Sequence, residues 1–482
     1  MQETETLLPL LTTLDWLMFG LVLVMTLGLV IFGNVRRLRL RHKKDANADL
    51  LDLLLMGRRL TLPLFTATLV ATWYGGIFGV TEYAYNLGLY NWLTQGVFWY
   101  SAYLIFAFLL VGRIRNTEAR TMPELLGGMF GPRSERLGAW MNLFNVLPVT
   151  YVISLGIFLQ LLFGGSLLVW MIAGTALVVA YSTFGGLRSV VYSDLVQFSV
   201  MCSSVVLVIF FSMRLHGGIG WLRQHPNIPA GHWRLFGEGI PLSATLVWGL
   251  IAMGTLVDPN FYQRCLAAKD VKTARRGILM ATLIWVGFDF CTTFGAFYAR
   301  AVMPEVTPRH AYLFYSMHLL PAGFRGFFLA GFLATILSTL DSYLFLSGTI
   351  ASYDLAPRKW KGHVSLFYLG TLLMAALALL GAVWFGPKDN LVEIWKFFGS
   401  YATACLLLPL MAGYRFPGVI RDRSFTAACI GGMVAMTLFH LLRSRLPEGL
   451  AAIEPFYFGM LGTLPPLLWA TSGLFLAKVG PR

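Results

Sequence analysis

The chain consists of long apolar stretches that alternate with short polar ones. Thirteen stretches have the length and apolarity of a helix that crosses a bilayer, and we number them segments 0 to 12. The segments are 15–33, 61–82, 92–112, 138–163, 165–182, 190–214, 242–259, 277–301, 324–353, 363–386, 391–413, 424–442 and 456–478. The boundary between segments 3 and 4 falls at Gly164–Gly165. This pattern predicts an all-α membrane protein with about thirteen transmembrane helices.

Composition supports the same class. Of the 482 residues, 57% are hydrophobic and 12% are charged, a balance typical of multi-spanning membrane proteins. The five cysteines are scattered without metal or redox spacing, so we expect neither a disulfide framework nor a metal cluster. No Lys or Arg precedes Arg36, so segment 0 is interpreted as a retained helix and not as a cleaved signal peptide.

The charge balance is strongly basic, with 37 Lys and Arg against 23 Asp and Glu. When the N-terminus is placed outside, most of the basic residues fall in loops on the cytoplasmic side, as the positive-inside rule requires. We therefore expect a multi-pass protein of the plasma membrane (the inner membrane of a Gram-negative cell), with the C-terminus in the cytoplasm. Topology explains the basic excess, so no nucleic-acid partner is expected. The run RRLRLRHKK at 36–44 would also suit anionic lipid headgroups in the bilayer.

Segment 8 carries an unusual polar strip within an apolar helix. Ser338, Asp341 and Ser342 recur at i, i+3 and i+4 and so share one face, with Thr339 beside them. In hydrocarbon such a face must meet protein, water or an ion. Hard oxygen ligands of this kind suit a small cation such as Na⁺. Hydrogen bonding to a neighbouring helix is the alternative interpretation.

Two segments have interrupted interiors. Segment 1 carries Gly75-Gly76 in mid-span, and segment 6 carries Gly254-Thr255 and ends at Asp258-Pro259. Interrupted helices at corresponding places of two halves are typical of a binding site near the bilayer midplane. Close helix packing at the glycines is the alternative. These segments would be the first helices of two five-helix units.

Carboxylates within the apolar segments are few, and each would be costly if it faced lipid. Asp194 and Asp341 are our candidates for cation ligands. Asp289 in segment 7 is a substrate contact, a proton carrier or a residue simply hydrogen-bonded to a neighbouring serine, and the sequence leaves these three open. Glu393 and Lys396 stand at i, i+3 and are expected to pair with each other.

Three stretches resemble the motifs of the sodium:solute symporter family. They are GGLRSVVYSDLVQ (185–197), DPNFYQRCLAAKDVKTAR (258–275) and LSTLDSYLFLSGTIASYDL (337–355). The resemblance implies a LeuT-like fold of five plus five helices in an inverted repeat, with segments 1 and 6 interrupted. It makes 1–482 a single transporter domain. The parts would be an extra N-terminal helix (15–33), a first repeat (61–214), a second repeat (242–413) and two extra C-terminal helices (424–478).

The resemblance also implies a sodium site, residue by residue. The principal Na⁺ site would use the side-chain oxygens of Ser338 and Thr339. It would add main-chain carbonyls of Ala71 and Tyr74, and a carbonyl of Ala334 or Ile336. A second Na⁺ site, present in some members, would use Asp194 and Ser342. Asp341 stands where those members have a serine, so this site would hold more negative charge or would be a hydrogen-bonded pair.

The family's substrate residues match this sequence poorly. The aromatic gate of sugar transporters falls at Gly254, their segment 7 lysine at Trp285, and the segment 1 polar residue of sugar and proline transporters at Trp73. The solute is therefore expected to be neither a hexose nor bound in the manner of proline. The candidate lining residues are Thr72, Trp73, Gly75, Gly76, Trp248, Gly254 and Asp289, with Tyr74, Tyr100 and Tyr151 as further candidates.

The function that the resemblance implies is sodium-coupled import of a small organic solute by alternating access, with a monomer as the functional unit. The chain has no GxxxxGKS/T nucleotide loop, so the energy would come from an ion gradient. A proton-coupled transporter of the same fold and a non-transporting solute sensor are the rival interpretations. No nucleophile–base or metal constellation suggests an enzyme.

Overall fold

The computed structural model describes residues 6–40, 45–182, 185–357, 359–361, 363–386 and 390–479. Helices form most of this part of the chain, and its only β-type pairing is a bridge between Leu60 and Ala268. The main helices are α1 (Thr13–Leu40), α2 (Ala46–Leu55), α3 (Leu62–Ala71), α4 (Ile77–Leu87), α5 (Phe98–Leu109), α6 (Pro132–Asn145), α7 (Val149–Phe163), α8 (Leu167–Ser182), α9 (Gly186–His216), α10 (Leu242–Ala252), α11 (Pro259–Ala267), α12 (Val271–Val302), α13 (Pro308–Leu319), α14 (Phe324–Thr349), α15 (Val364–Phe385), α16 (Leu391–Arg415), α17 (Asp422–Leu442) and α18 (Pro455–Val479).

Each predicted segment coincides with one helix or with a few consecutive helices. Within the described residues, ten helices are long and apolar enough to cross a bilayer, and α3 and α8 are shorter apolar helices. The all-α class is confirmed, whereas the count of thirteen crossings stays a prediction. The boundary at Gly164 is also confirmed, since α7 ends at Phe163 and Gly164 adopts a φ of 75° that favours glycine.

The first predicted interruption is a break at residues 72–76, between α3 and α4. Thr72 ends α3; its N–H still bonds to the carbonyl oxygen of Thr68, and the N–H of Trp73 bonds to that of Val70. Gly75 is required by space, because a Cβ added there would lie 2.5 Å from the Cβ of Thr339 on α14. The break therefore lets the backbone of one helix approach another far more closely than side chains would allow.

The second predicted interruption separates α10 from α11. A 3₁₀ turn spans Met253–Val257, and Asp258 then caps α11. Its carboxylate accepts hydrogen bonds from the amides of Asn260 (2.7 Å) and Phe261 (3.3 Å). Pro259 occupies the first turn, where its missing N–H costs nothing. The Asp-Pro pair thus starts a new helix, as the sequence indicated.

The helix with the polar strip lies at the centre of the bundle. The apolar part of α14 is wholly buried, and this helix packs against α1, α3, α7 and α9. By contrast, α1 and α15 leave most of their apolar side chains exposed, as expected for helices that face lipid. The serines and the aspartate of the strip therefore meet protein on every side.

The connection between α9 and α10 is tied to the bundle through His232. Its Nε2 lies 3.0 Å from the carbonyl oxygen of Tyr85 near the end of α4. Burial lowers the pKa of His232, the bond to Tyr85 opposes this shift, and the nearby charge of Arg300 adds to it. Since the ring is neutral, the proton that bonds to Tyr85 sits on Nε2.

Candidate functional site

The break after α3 meets α14 at Ser338. The Oγ of this buried serine lies 2.8 Å from the carbonyl oxygen of Ala71 and 2.7 Å from that of Ala334. Ala71 is the last residue of α3, so its carbonyl has lost the next helical turn as a partner. Three of the predicted sodium ligands therefore converge, and all three are neutral hard oxygens, which suit Na⁺.

Thr339 and Tyr74 adjoin this cluster. The Thr339 hydroxyl donates to the carbonyl oxygen of Thr335 (3.1 Å), and Gly75 packs directly against its side chain. Tyr74 lies in the same break, with its ring 4.2 Å from that of Phe288, centroid to centroid. The structure thus brings Ala71, Ala334 and Ser338 together, with Thr339 beside them on α14 and Tyr74 in the adjoining break. Sodium ligation by these residues stays a prediction. The side-chain hydroxyls there bond to carbonyl oxygens that an ion would share.

The predicted second site holds a residue that the sequence reasoning did not include. Arg264 on α11 is fully buried and donates to the Ser342 hydroxyl at 2.9 Å. It also donates to the hydroxyls of Thr68 and Thr72, each at 3.4 Å. The sequence signal that could have indicated Arg264 is its place in the Gln-Arg pair of the motif at 258–275. A guanidinium therefore stands beside the predicted cation ligands.

Two buried carboxylates flank that guanidinium. Asp194 accepts a hydrogen bond from Thr68, and Asp341 accepts one from Tyr181 at 3.4 Å. Arg264 interacts electrostatically with both. Among the described residues, neither the Oδ1 of Asp194 nor that of Asp341 has a hydrogen-bond partner. One arginine faces two carboxylates with an unpartnered oxygen each, so the group could accept a further positive charge.

A compact cavity lies next to the break, with a volume of about 70 Å³. Its lining residues are Trp73, Tyr74, Gly76, Gly79, Val80, Gln95, Trp99, Thr150, Tyr151, Tyr343, Leu391, Val392 and Trp395. Aromatic rings dominate this lining, and none of its side chains carries a charge at neutral pH. Gln95 supplies an amide whose Nε2 is buried and has no partner in the described part of the chain. Nine of these thirteen residues are absent from the predicted set, among them Gln95, Trp99, Thr150 and Trp395.

The predicted substrate residues fall into two groups. Trp73 and Gly76 line the cavity, and Gly75 touches Tyr151, which also lines it. Trp248 lies one layer behind, stacked on the lining residue Trp395 with centroids 6.1 Å apart.

The second group lies outside the cavity. The Thr72 hydroxyl bonds to the carbonyl oxygen of Thr68, and Gly254 packs against Thr403. Asp289 accepts a hydrogen bond from Tyr100, a further predicted lining residue. Together they form a largely buried polar pair between α5 and α12. The observed partner of Asp289 is a tyrosine of α5 and not a neighbouring serine, and its role as a substrate contact or proton carrier stays a prediction.

Lys396 departs from its expected pairing. Its Nζ lies 2.8 Å from a carboxylate oxygen of Glu454, closer than the 3.8 Å to Glu393. It also stands 5.4 Å from the ring centroid of Trp248. This lysine therefore links α16 to Glu454, just before α18, and lies beside Trp248. Its pairing with Glu393 is the longer of its two ion pairs.

Comparisons with known proteins agree on one family. The model of the sodium:solute symporter family matches residues 53–414. The sodium/pantothenate symporter of Escherichia coli (strain K12) is 27% identical over 349 residues, which cover 67% of this chain and 70% of that protein. Sodium/myo-inositol cotransporter 2 of Rattus norvegicus is 25% identical, over 77% of this chain and 60% of that protein. The sodium/glucose cotransporter of Vibrio parahaemolyticus is 22% identical, over 94% and 89%.

Solved structures give the fold. A substrate-bound, outward-open Na⁺-coupled sialic acid symporter superposes with a TM-score of 0.74 at 16% identity, covering 96% of this chain and 98% of that one. MhsT in complex with L-phenylalanine gives a TM-score of 0.51 at 14% identity, over 85% and 98%. These likenesses confirm the LeuT-like fold that the motifs implied.

Proposed function

Because the chain belongs to the sodium:solute symporter family, we propose that it carries a compact solute of no net charge, together with Na⁺, through the cavity beside Trp73. Family membership makes the protein a membrane-embedded, sodium-coupled transporter and not an enzyme. The named relatives act on solutes as different as pantothenate, myo-inositol and glucose, so the solute has to be argued from the cavity itself.

One observation carries the coupling mechanism. The break at residues 72–76 joins the sodium ligands to the cavity, because Ala71 at its start contacts Ser338 while Trp73, Tyr74 and Gly76 line the cavity. Sodium held between the carbonyl of Ala71 and the hydroxyls of α14 would fix the break and so complete the solute site. Ion and solute then favour each other's binding, as thermodynamic linkage requires.

The membrane potential would drive import. About 100 mV is worth ~2.3 kcal/mol for each charge that crosses, which corresponds to roughly 50-fold accumulation of a neutral solute with one Na⁺. Neutral ligands hold Na⁺ weakly enough to release it on the cytoplasmic side. The proposed moving parts are the two five-helix repeats, 61–214 and 242–413, with the N-terminus outside and a single chain as the working unit.

The cavity favours a particular chemistry of solute. Its aromatic walls would cover an apolar part of the solute, while Gln95 and Thr150 can form hydrogen bonds with a polar part. Since no Lys or Arg is among the lining residues, a carboxylate on the solute would have to face the sodium ion. The solute we propose is therefore small, partly apolar and uncharged or zwitterionic.

The group around Arg264 would take a second positive charge. We assign Asp194, Asp341 and Ser342 to a second cation site that already contains the guanidinium. The extra ion would be a second Na⁺ or a proton, since Asp341 adds a carboxylate where a serine is usual in the family motif. If it is a proton, the protein is coupled to both gradients. The unpartnered carboxylate oxygens of Asp194 and Asp341 are the observation that keeps a proton-coupled function open.

Reconstitution in sealed liposomes tests this proposal. Uptake of solutes from a compact, uncharged panel is measured under an inward sodium gradient, under an inward proton gradient, and under both. Uptake that requires sodium supports the proposal. Equal uptake under a proton gradient alone contradicts it in favour of proton coupling. A protein that binds solute saturably but never accumulates it in sodium is a sensor.

A further inference from the structure

A basic cavity lies at the end of the bundle opposite to Asp15, where α1 ends and α3 and α9 begin. It has a volume of about 370 Å³ and is lined by Arg36, Arg39, Arg59, Arg188, Tyr192 and Leu64, among others. A smaller cavity of about 180 Å³ adjoins it and shares Leu40, Arg59 and Arg188. Sodium coupling makes no use of this region.

Most of the positive charge around this cavity is not neutralised. Arg188 is buried and forms an ion pair with Asp52. Within the described residues, however, Arg39 and Arg59 have no ion-pair partner. In the same part of the chain, Arg36 has one hydrogen bond, to the Tyr192 hydroxyl, and its guanidinium lies 5.7 Å from the centroid of that ring. Three exposed guanidinium groups therefore point to a negatively charged ligand that is not part of this protein.

The surroundings of the cavity are those of a membrane surface. The last turns of α1 expose Phe32 (49%) and Leu38 (62%), so the lipid-facing side of that helix extends to the arginines. Leu40, Met56 and Leu64 add apolar side chains to the lining itself. A ligand here would meet guanidinium groups at one end and hydrocarbon-covered helix at the other, which is the chemistry of an amphiphile.

We propose that this cavity binds the headgroup of an anionic phospholipid. The phosphodiester would lie between Arg36, Arg39 and Arg59, whose planar forks match its oxygen atoms. One acyl chain would follow the exposed apolar side of α1. Leu64 belongs to the start of α3, so the bound lipid would also contact the helix that ends at the sodium ligand Ala71. The proposal does not depend on which solute is carried.

The test uses the purified full-length chain in a neutral detergent and native mass spectrometry. Dioleoyl phosphatidylglycerol and dioleoyl phosphatidylcholine are titrated separately, because both have the same chains and a phosphate but only the first is net negative. A third titration uses inorganic phosphate alone. Wild type is compared with Arg36→Gln/Arg39→Gln/Arg59→Gln. The matched control, Arg136→Gln/Arg421→Gln/Arg423→Gln, removes three exposed arginines elsewhere on the chain.

The proposal predicts that wild type retains one phosphatidylglycerol about tenfold more tightly than phosphatidylcholine. The cavity variant should lose this preference, and the control variant should keep it. Inorganic phosphate should neither bind nor displace the lipid. Equal retention of the two lipids, an unchanged preference in the cavity variant, an equal loss in the control, or displacement by phosphate would each overturn it. An unchanged melting temperature verifies that the cavity variant is folded. If it unfolds, Arg39→Gln/Arg59→Gln replaces it, because both side chains are exposed and neither has an ion-pair partner among the described residues.

Discussion

The hydroxyl of Ser338 lies 2.8 Å from the carbonyl oxygen of Ala71, although 267 positions separate these residues in the sequence. This contact joins the most buried helix of the bundle to the place where α3 stops. The same break supplies Trp73 and Tyr74 to the wall of the cavity. The proposed ion ligand Ala71 and the proposed solute contacts Trp73 and Tyr74 are thus only two or three residues apart, which is the geometric basis of the coupling that we propose.

The first prediction concerns Gly75. An added methyl group would lie 2.5 Å from the Cβ of Thr339 and 2.8 Å from the ring of Tyr151, so the break must move away from α14. Gly75→Ala should therefore weaken sodium binding at least about tenfold, equivalent to ~1.4 kcal/mol. Gly249→Ala in α10 is the matched control, because its methyl group would meet Phe98 at an ordinary 3.6 Å. Sodium-dependent fluorescence of the purified protein measures both; an unaffected Gly75 variant would show that the close approach is not needed.

The second prediction concerns Arg264. Its removal leaves Asp194 and Asp341 as uncompensated buried charges, so Arg264→Gln should destabilise the fold by about 3 kcal/mol or more. Arg264→Gln/Asp341→Asn removes one positive and one negative charge together and should recover part of the loss. Thermal unfolding in detergent measures all three proteins. If the double variant is no more stable than the single one, Arg264 does not serve as the counter-ion of Asp341.

The sequence predicts those features of the fold and of the candidate site that are set by residues close together in the chain. The breaks in α3–α4 and α10–α11 follow from neighbouring residues, a glycine pair and an Asp-Pro pair, and were predicted. The polar strip of α14 follows from helical spacing. Arg264 and Gln95 could not be assigned to sites in this way, because their partners come from helices far away in the chain. The Asp289–Tyr100 pair, 189 positions apart, is of the same kind.

The third prediction concerns Gln95. Its unpartnered amide faces the cavity region, so Gln95→Ala should raise the KM for the solute by roughly 5- to 10-fold, the value of one hydrogen bond. Sodium binding without solute should be unchanged. Gln160→Ala serves as control, since its amide bonds to the carbonyl of Gly165 at a distant loop. Equal KM values in the two variants would contradict a role for Gln95 in solute binding.

The fourth prediction concerns the loop anchored by His232. Because burial lowers the pKa of this ring, the docked state resists a proton that the undocked loop accepts. Docking is therefore fully favourable above pH about 6.5, the ordinary histidine value, and weakens as the pH falls below it. Hydrogen exchange of residues 225–237, corrected for intrinsic rates, should increase from pH 7.5 to 5.5.

His232→Gln is the decisive variant for that pH dependence. Glutamine keeps an N–H donor for the carbonyl of Tyr85 but does not titrate, so the increase in exchange should disappear. His225→Gln tests the neighbouring histidine of the same loop and should leave the increase in place. If the pH response survives in His232→Gln but vanishes in His225→Gln, His225 causes it and the prediction for His232 is wrong.

Equilibrium binding of ²²Na⁺ to the purified protein tests the proposed sodium site most directly, comparing wild type, Ser338→Ala and Ser347→Ala. Both serines are buried on α14, but the Ser347 hydroxyl bonds only to its own helix, at Leu344. A sodium site at Ser338 predicts saturable binding in wild type and in Ser347→Ala, and at least about tenfold weaker binding in Ser338→Ala. Equal sodium binding by all three proteins would contradict a sodium site between Ala71 and α14.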